Sequence, residues 1–173
     1  ISNDFDLHIF VGGMHLLEVF GSTYKEVQKD GYKNIHIAHG LSHYNSMSLN
    51  IGNTINMLTG YVNHIKPDMI VVHGDRIDAL AGAIVGALNN IIVSHIEGGE
   101  VSGTIDESIR HAVSKFSHLH FVSTHEAKKR LIQLGEADQD IFVIGSPDID
   151  VMLSNRLPTF DDAKKRYDIP FEK

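Results

Sequence analysis

The 173-residue chain has no cysteine, no tryptophan and only four prolines. Lack of cysteine excludes disulfides and thiolate catalysis, and a reducing compartment fits. Long hydrophobic runs are also missing, and none approaches the roughly 20 apolar residues of a membrane span. The stretch Ile1 to Asp6 shows neither the basic region nor the apolar core of a signal peptide. Basic charge is scarce. Fifteen Lys and Arg stand against 22 Asp and Glu, a formal charge of −7, which argues against a general nucleic-acid binder with its basic face. An anionic small ligand is still allowed, because a helix amino terminus and a few arginines suffice to hold one phosphate group.

What is present suits a globular protein. Hydrophobic residues make up 42% and charged ones 21%, enough for one domain with a substantial core. Twelve histidines is a high count. They follow no His-Glu-x-x-His spacing. The densest group, His36, His39 and His43, lies in a loop-like stretch, where histidines rarely converge on one ion, so no metal is expected. The chain opens at Ile1 almost directly in a strand, so an opening segment is expected to be missing.

Apolar runs and amphipathic stretches alternate along the chain. Strands are expected over Phe5 to Val11, Asn34 to Ala38, Met69 to Val72, Ile91 to His95, Leu119 to Val122 and Ile141 to Ile144. Between them the helices are Thr23 to Asp30, Met47 to Ile65, Ile77 to Leu88, Thr104 to Phe116 and Thr124 to Leu134, with a short last one near Asp148 to Ser154. In the longest, Ile51, Ile55, Leu58, Val62 and Ile65 share a face, as core or as a subunit interface, and Pro67 stops it. Met69 to Val72 reads as a strand covered on both faces. The Ala- and Gly-rich helix from Ile77 can lie close to a sheet. Thr104 and Glu107 have capping-box spacing, and Ile105, Ile109, Ala112 and Phe116 are the expected buried face of that helix. The reading is an α/β fold, a doubly wound parallel sheet of Rossmann-like type with right-handed crossovers. Residues 1–156 form this domain, and 157–173 an exit or hinge segment.

Carboxylates at the ends of adjacent parallel strands face one crevice, where open α/β sheets bind ligands. Asp75 follows one strand in His73-Gly74-Asp75-Arg76, as a general base, a hydroxyl ligand or merely a helix cap. Arg76 brings a fork of donors suited to phosphate, or else pairs with Asp78 or Glu97. Glu97 follows another strand in Glu97-Gly98-Gly99-Glu100, whose glycines let the backbone bend and approach a ligand. Asp106 opens a helix, where the dipole favours negative charge, and Arg110 lies four residues on, as its partner or a ligand contact. His73 and His95 are ligand donors or hydrogen-bonded strand-end histidines. Gly13, after the first strand, permits positive φ or a close approach. These residues support acid/base chemistry on a polar, phosphorylated small ligand, and go no further.

Three motifs taken together do go further: His73-Gly74-Asp75-Arg76, His95 to Gly103, and Ile105-Asp106-Glu107-Ser108-Ile109-Arg110-His111. With Gly13-Met14-His15-Leu16, Phe20 to Tyr24, Lys66-Pro67-Asp68 and Ser117 to Phe121, the chain resembles the UDP-N-acetylglucosamine 2-epimerase family. The likeness is closest to its hydrolysing branch, which opens sialic-acid-type biosynthesis. It runs from about Phe5 to Leu153.

The resemblance implies the amino-terminal half of a glycosyltransferase-B-like, two-domain cytoplasmic enzyme, with a UDP-sugar held between the halves. Asp75, Glu97 and Asp106 match the family's catalytic carboxylates, and Arg76 a diphosphate contact. His73, His95, Arg110, Gly13 and His15 are expected on the substrate side. No cofactor or metal is implied, and a homo-oligomer (dimer or tetramer) is expected at full length. The hydrolysing reading rests on Gly-Asp-Arg and Glu-Gly-Gly-Glu. Alternatives are the non-hydrolysing epimerase, an epimerase of a diacetamido-trideoxy UDP-sugar, and a non-catalytic nucleotide-sugar-binding module. This half alone is expected to be inactive.

Overall fold

A computed structural model describes residues 5–39, 46–154 and 157–167. Strand and helix alternate as the apolar pattern implies. The order is β1 (His8–Val11), α1 (Tyr24–Lys29), β2 (Asn34–Ile37), α2 (Met47–Ile65), β3 (Met69–His73), α3 (Ile77–Leu88), β4 (Ile92–Ile96), α4 (Ile105–Lys115), β5 (Leu119–Val122), α5 (His125–Gln133), β6 (Ile141–Val143), α6 (Pro147–Met152) and α7 (Phe160–Tyr167). Every strand pairing is parallel. The result is an α/β, Rossmann-like fold in which β3, β4, β5 and β6 lie side by side in chain order, while β1 and β2 pair with each other. The segment expected as a hinge carries α7, and His43 falls outside the described residues.

Two corrections concern burial. β3 is covered on one face only: Val72 is buried, whereas Met69, Val71 and His73 are exposed. In α4 the buried residues are Ile109, Val113 and Ser114, while Ile105 is 63% and Phe116 38% exposed. The apolar spacing in the sequence was right for a helix but put its buried stripe at the wrong rotation.

The helices sit close because their contact residues are small. A methyl group at Gly82 would come within 2.7 Å of Val72, and one at Gly86 would collide with Val93. α3 therefore lies against β3 and β4, and Val72, Ala79, Ala83, Val93, Ile109 and Val113 form a core between sheet, α3 and α4. On the far side of α3, Leu58 and Val62 from the α2 stripe pack on Val85 with Phe10 and Ile70. That stripe is core. A third cluster, Val122, Ala127, Leu131 and Ile141, seats α5 on β5 and β6. Parallel strands with helices packed this way bring all strand carboxyl ends to one rim.

Candidate active site

The rim begins at Gly74, which turns the chain after β3 with φ +75°. Its N–H donates to the Ile96 carbonyl at 3.0 Å, so the turn continues the β3–β4 ladder. Its carbonyl accepts from the ring of His95, 2.9 Å from Nε2. His95 is fully buried, and its Nδ1 lies 3.0 Å from Ser114 Oγ. Since a carbonyl only accepts, Nε2 carries the proton and Nδ1 is the acceptor facing the Ser114 hydroxyl, which also reaches the Arg110 carbonyl at 3.2 Å. Burial pulls this imidazole down to about 4, against the pull of the Gly74 carbonyl, with His120, Arg110 and His73 adding like charge. Of the two readings offered for His95, the contacts match the hydrogen-bonded strand-end histidine: it is a neutral strut between β4, α4 and the β3 turn.

His73 behaves differently. It is half-exposed, and its Nε2 lies 2.9 Å from Glu97 Oε2. Glu97 follows β4 with its N–H donating to the Phe121 carbonyl at 2.9 Å. It holds φ +65°, a left-handed conformation that costs a residue with a Cβ roughly 1–3 kcal/mol. The other carboxylate oxygen accepts from Ser146 Oγ at 3.4 Å, from the turn after β6. Three strand ends thus meet on one carboxylate.

The two glycines after Glu97 bend the backbone as expected, but what they approach is the protein itself. A methyl group on Gly98 would lie 3.0 Å from both His95 Nδ1 and Ser114 Oγ. On Gly99, at φ +79°, it would run into the Ala127 backbone of α5. Arg130 donates to the Gly99 carbonyl at 2.9 Å.

Asp75 is not the cap of α3. Arg76 occupies that position, in extended backbone and with no side-chain cap bond. Instead Asp75 Oδ2 pairs with Arg110 Nη2, and Arg110 Nη1 donates to the Glu100 carbonyl at 3.0 Å. The expected Asp106–Arg110 pair is therefore replaced by one across the crevice, and the Arg110 fork is committed to the protein. The side chain of Asp106, in the first turn of α4, makes no hydrogen bond or ion pair among the described residues, and neither does that of the exposed Arg76. Arg76 thus pairs with neither Asp78 nor Glu97.

Thr104 does not form the expected capping box, since its side chain makes no cap bond. Glu107 Oε2 instead accepts from the N–H groups of Ser102 and Gly103, both at 2.7 Å. These hydrogen bonds hold its carboxyl below the usual glutamate range and leave it a structural acid.

Gly13 and His15 join the same rim through a residue not singled out as functional in the sequence, Asp78. Gly13 adopts φ +60°, and a methyl group there would collide with the Asp78 carboxylate. Burial raises the Asp78 carboxyl above its usual range, with the nearby His15 pulling the other way. Its Oδ1 is buried without a partner among the described residues. His15 is oriented by Thr23, 2.7 Å from Nδ1. Ser146 was missed as well. Its signal was the rule that pointed to Asp75 and Glu97, a polar side chain just past a parallel strand. Among the described residues no cluster of metal-binding side chains occurs; His36 stacks 4.4 Å from the Tyr61 ring centroid.

A model of the UDP-N-acetylglucosamine 2-epimerase family matches residues 1–172. The chain is 47% identical over 169 residues to the UDP-N-acetylglucosamine 2-epimerase of Neisseria meningitidis serogroup B, covering 98% of this chain and 45% of that protein. It is 40% identical over 169 residues to the UDP-N,N'-diacetylbacillosamine 2-epimerase (hydrolyzing) of Legionella pneumophila, at 96% and 45% coverage. The crystal structure of a Neisseria meningitidis UDP-GlcNAc 2-epimerase bound to UDP-GlcNAc matches with a TM-score of 0.76. That match covers 99% of this chain and 48% of the other at 23% identity, and shows the fold. The Methanocaldococcus jannaschii UDP-GlcNAc 2-epimerase matches with a TM-score of 0.70 and 26% identity, over 86% of this chain and 40% of that one. The chain spans about half the length of the curated relatives it matches. Motifs, fold and a family match along almost every residue agree, and the chain belongs to the UDP-N-acetylglucosamine 2-epimerase family.

Proposed function

We propose that this chain forms the acid/base wall of a hydrolysing UDP-N-acetylglucosamine 2-epimerase, releasing N-acetylmannosamine and UDP for sialic-acid-type sugar biosynthesis. The observation that carries the reading is the convergence of Glu97, His73, Asp75 and Arg110 on one rim of strand ends. Gly-Asp-Arg and Glu-Gly-Gly-Glu support the hydrolysing branch, as does the Legionella pneumophila relative's description as hydrolyzing.

The C2 proton of the sugar is not acidic, so its removal needs a positioned base. Glu97 is the base in this reading. It takes the C2 proton as the C1–O bond to UDP breaks with its electron pair leaving on the phosphate, which gives a C1–C2 double bond. Half-exposed His73, bonded to Glu97, offers the route by which that proton reaches solvent. Asp75 has one oxygen held by Arg110, so the other meets a ligand hydroxyl. Unpaired Asp106 serves the second half, in which water adds a proton to C2 and hydroxide to C1. Arg76, exposed at the start of α3, meets the diphosphate as its charge grows. Gly13 and His15 border the same ligand through Asp78.

In this reading the facing wall comes from the part of the relatives that this chain does not span. The test is product analysis in deuterated water with the chain joined to the carboxy-terminal half of the Neisseria meningitidis relative. Free UDP, deuterium at C2 and N-acetylmannosamine are expected. Release of UDP-N-acetylmannosamine instead would favour the non-hydrolysing reaction, and a deoxygenated diacetamido product the bacillosamine-type substrate. Measurable turnover by the 173-residue chain alone would overturn the two-wall reading.

A further inference from the structure

Serine and threonine at helix amino termini ordinarily accept a hydrogen bond from the first-turn N–H groups. This chain follows the habit at α2, where Ser46 accepts from Leu49, and at α5, where Thr124 accepts from Ala127, but not at α1 or α4, where Thr23 and Thr104 make no cap bond. Ser146 holds the same position at α6, with Pro147 following, yet its side chain makes no cap bond. Its hydroxyl donates to Glu97 Oε1 at 3.4 Å instead. His73 holds the other oxygen at 2.9 Å, so both ends of the carboxylate are engaged, from opposite directions along the rim.

We infer that Ser146 is a positioning residue for Glu97, fixing the carboxylate plane against His73. The inference rests on the reading of Glu97 as the base. Glu97 sits on a backbone in the left-handed region, and its Cα–Cβ direction is set there. The remaining freedom lies in the side-chain torsions, and a carboxylate gripped at one oxygen alone still pivots about that contact. A donor on the second oxygen removes the pivot. The separation of 3.4 Å is long for an O–H···O bond, as catalytic hydrogen bonds commonly are before a ligand draws them in.

Threonine and valine at position 146 have nearly the same shape, and only threonine has the hydroxyl. The experiment follows the order parameter of the Glu97 side chain at Cγ, from carbon relaxation in the 173-residue chain, assigned through Glu97→Gln. Ser146→Val is expected to lower it by about a third, and Ser146→Thr to restore it. Ser146→Ala, which strains the turn less, is expected to lower it as Ser146→Val does. Equal order parameters in the valine, alanine and threonine variants would overturn the inference. A separate readout covers the reading it rests on. If Glu97→Gln leaves turnover of the two-half enzyme intact, Glu97 is not the base, and a lowered order parameter would still show that Ser146 holds it.

Discussion

Arg110 of α4 pairs with Asp75 of the β3 turn, 35 residues away, and not with Asp106 on its own helix. The side chains are only 12% and 22% exposed, so each charge depends on the other. Removing one partner leaves the second partly buried and unpaired. Arg110→Met and Asp75→Asn are each expected to lower the unfolding free energy by about 2 kcal/mol, and the double variant by less than the sum. A double-mutant cycle by urea denaturation checks this; simple additivity would mean that the pair does not couple.

His95 makes the fold sensitive to acid. Its imidazole is pulled from 6.5 down to about 4 by burial, so below 6.5 the unfolded chain binds a proton that the folded chain refuses. Stability is therefore intact above that value and falls as pH drops toward about 4, by about 3 kcal/mol in all. His120, also buried and lowered in the same direction, adds to the loss. Urea midpoints across this window should fall steeply in the native chain and less steeply in His95→Gln.

The crowding of Gly13 on Asp78 gives a third expectation. Gly13→Ala meets both a positive φ and the carboxylate, and should cost about 1–2 kcal/mol. Part of that is recovered when Asp78→Ala is added. Asp78 itself carries a linkage of opposite sign to His95. Its folded carboxyl is raised by burial above 3.8, so its contribution is full below that value and lost as pH rises through the folded one. Asp78→Asn should therefore stabilise the chain at neutral pH, with the advantage disappearing in acid. A constant difference at every pH would show that ionisation of Asp78 is not the cause.

Glu97 should show stability and activity pulling apart. Its φ of +65° suits glycine better than glutamate. Glu97→Gly is expected to be at least as stable as the native chain, while Glu97→Gln and Glu97→Gly each reduce turnover of the two-half enzyme by about 100-fold or more. Thermal unfolding set beside initial rates tests both statements. A large drop in melting temperature for Glu97→Gly would show that the conformation carries no strain.

Much of this was legible in the chain. The α2, α3 and β5 boundaries coincide with the sequence expectation, because Pro67, the Asn89-Asn90 turn and unbroken apolar runs act locally. Other boundaries moved by one to three residues, as β1 did in losing Phe5 to Leu7. The motif acids all fall on strand ends or a first helical turn, since those positions follow from the element order. Their partners were not legible. Spacing offered Asp106 to Arg110 and Thr104 to Glu107, the two nearest choices. Folding instead gave Arg110 to Asp75, and gave Glu107 to the Ser102 and Gly103 amides. His73 and His95 looked alike, each two residues before an acid at a strand end, yet one is exposed on Glu97 and the other is sealed under α4.

The sequence by itself determined the α/β alternation, the place of the carboxylates and the family, because hydrophobic period, turn residues and motif order are properties of neighbours along the chain. The tertiary structure decided which acids are held and which are free, which histidine is a strut, and that Ser146 faces Glu97. Those outcomes depend on distances between strand ends and helices far apart in sequence, fixed only when the small residues of α3 bring it down onto the sheet.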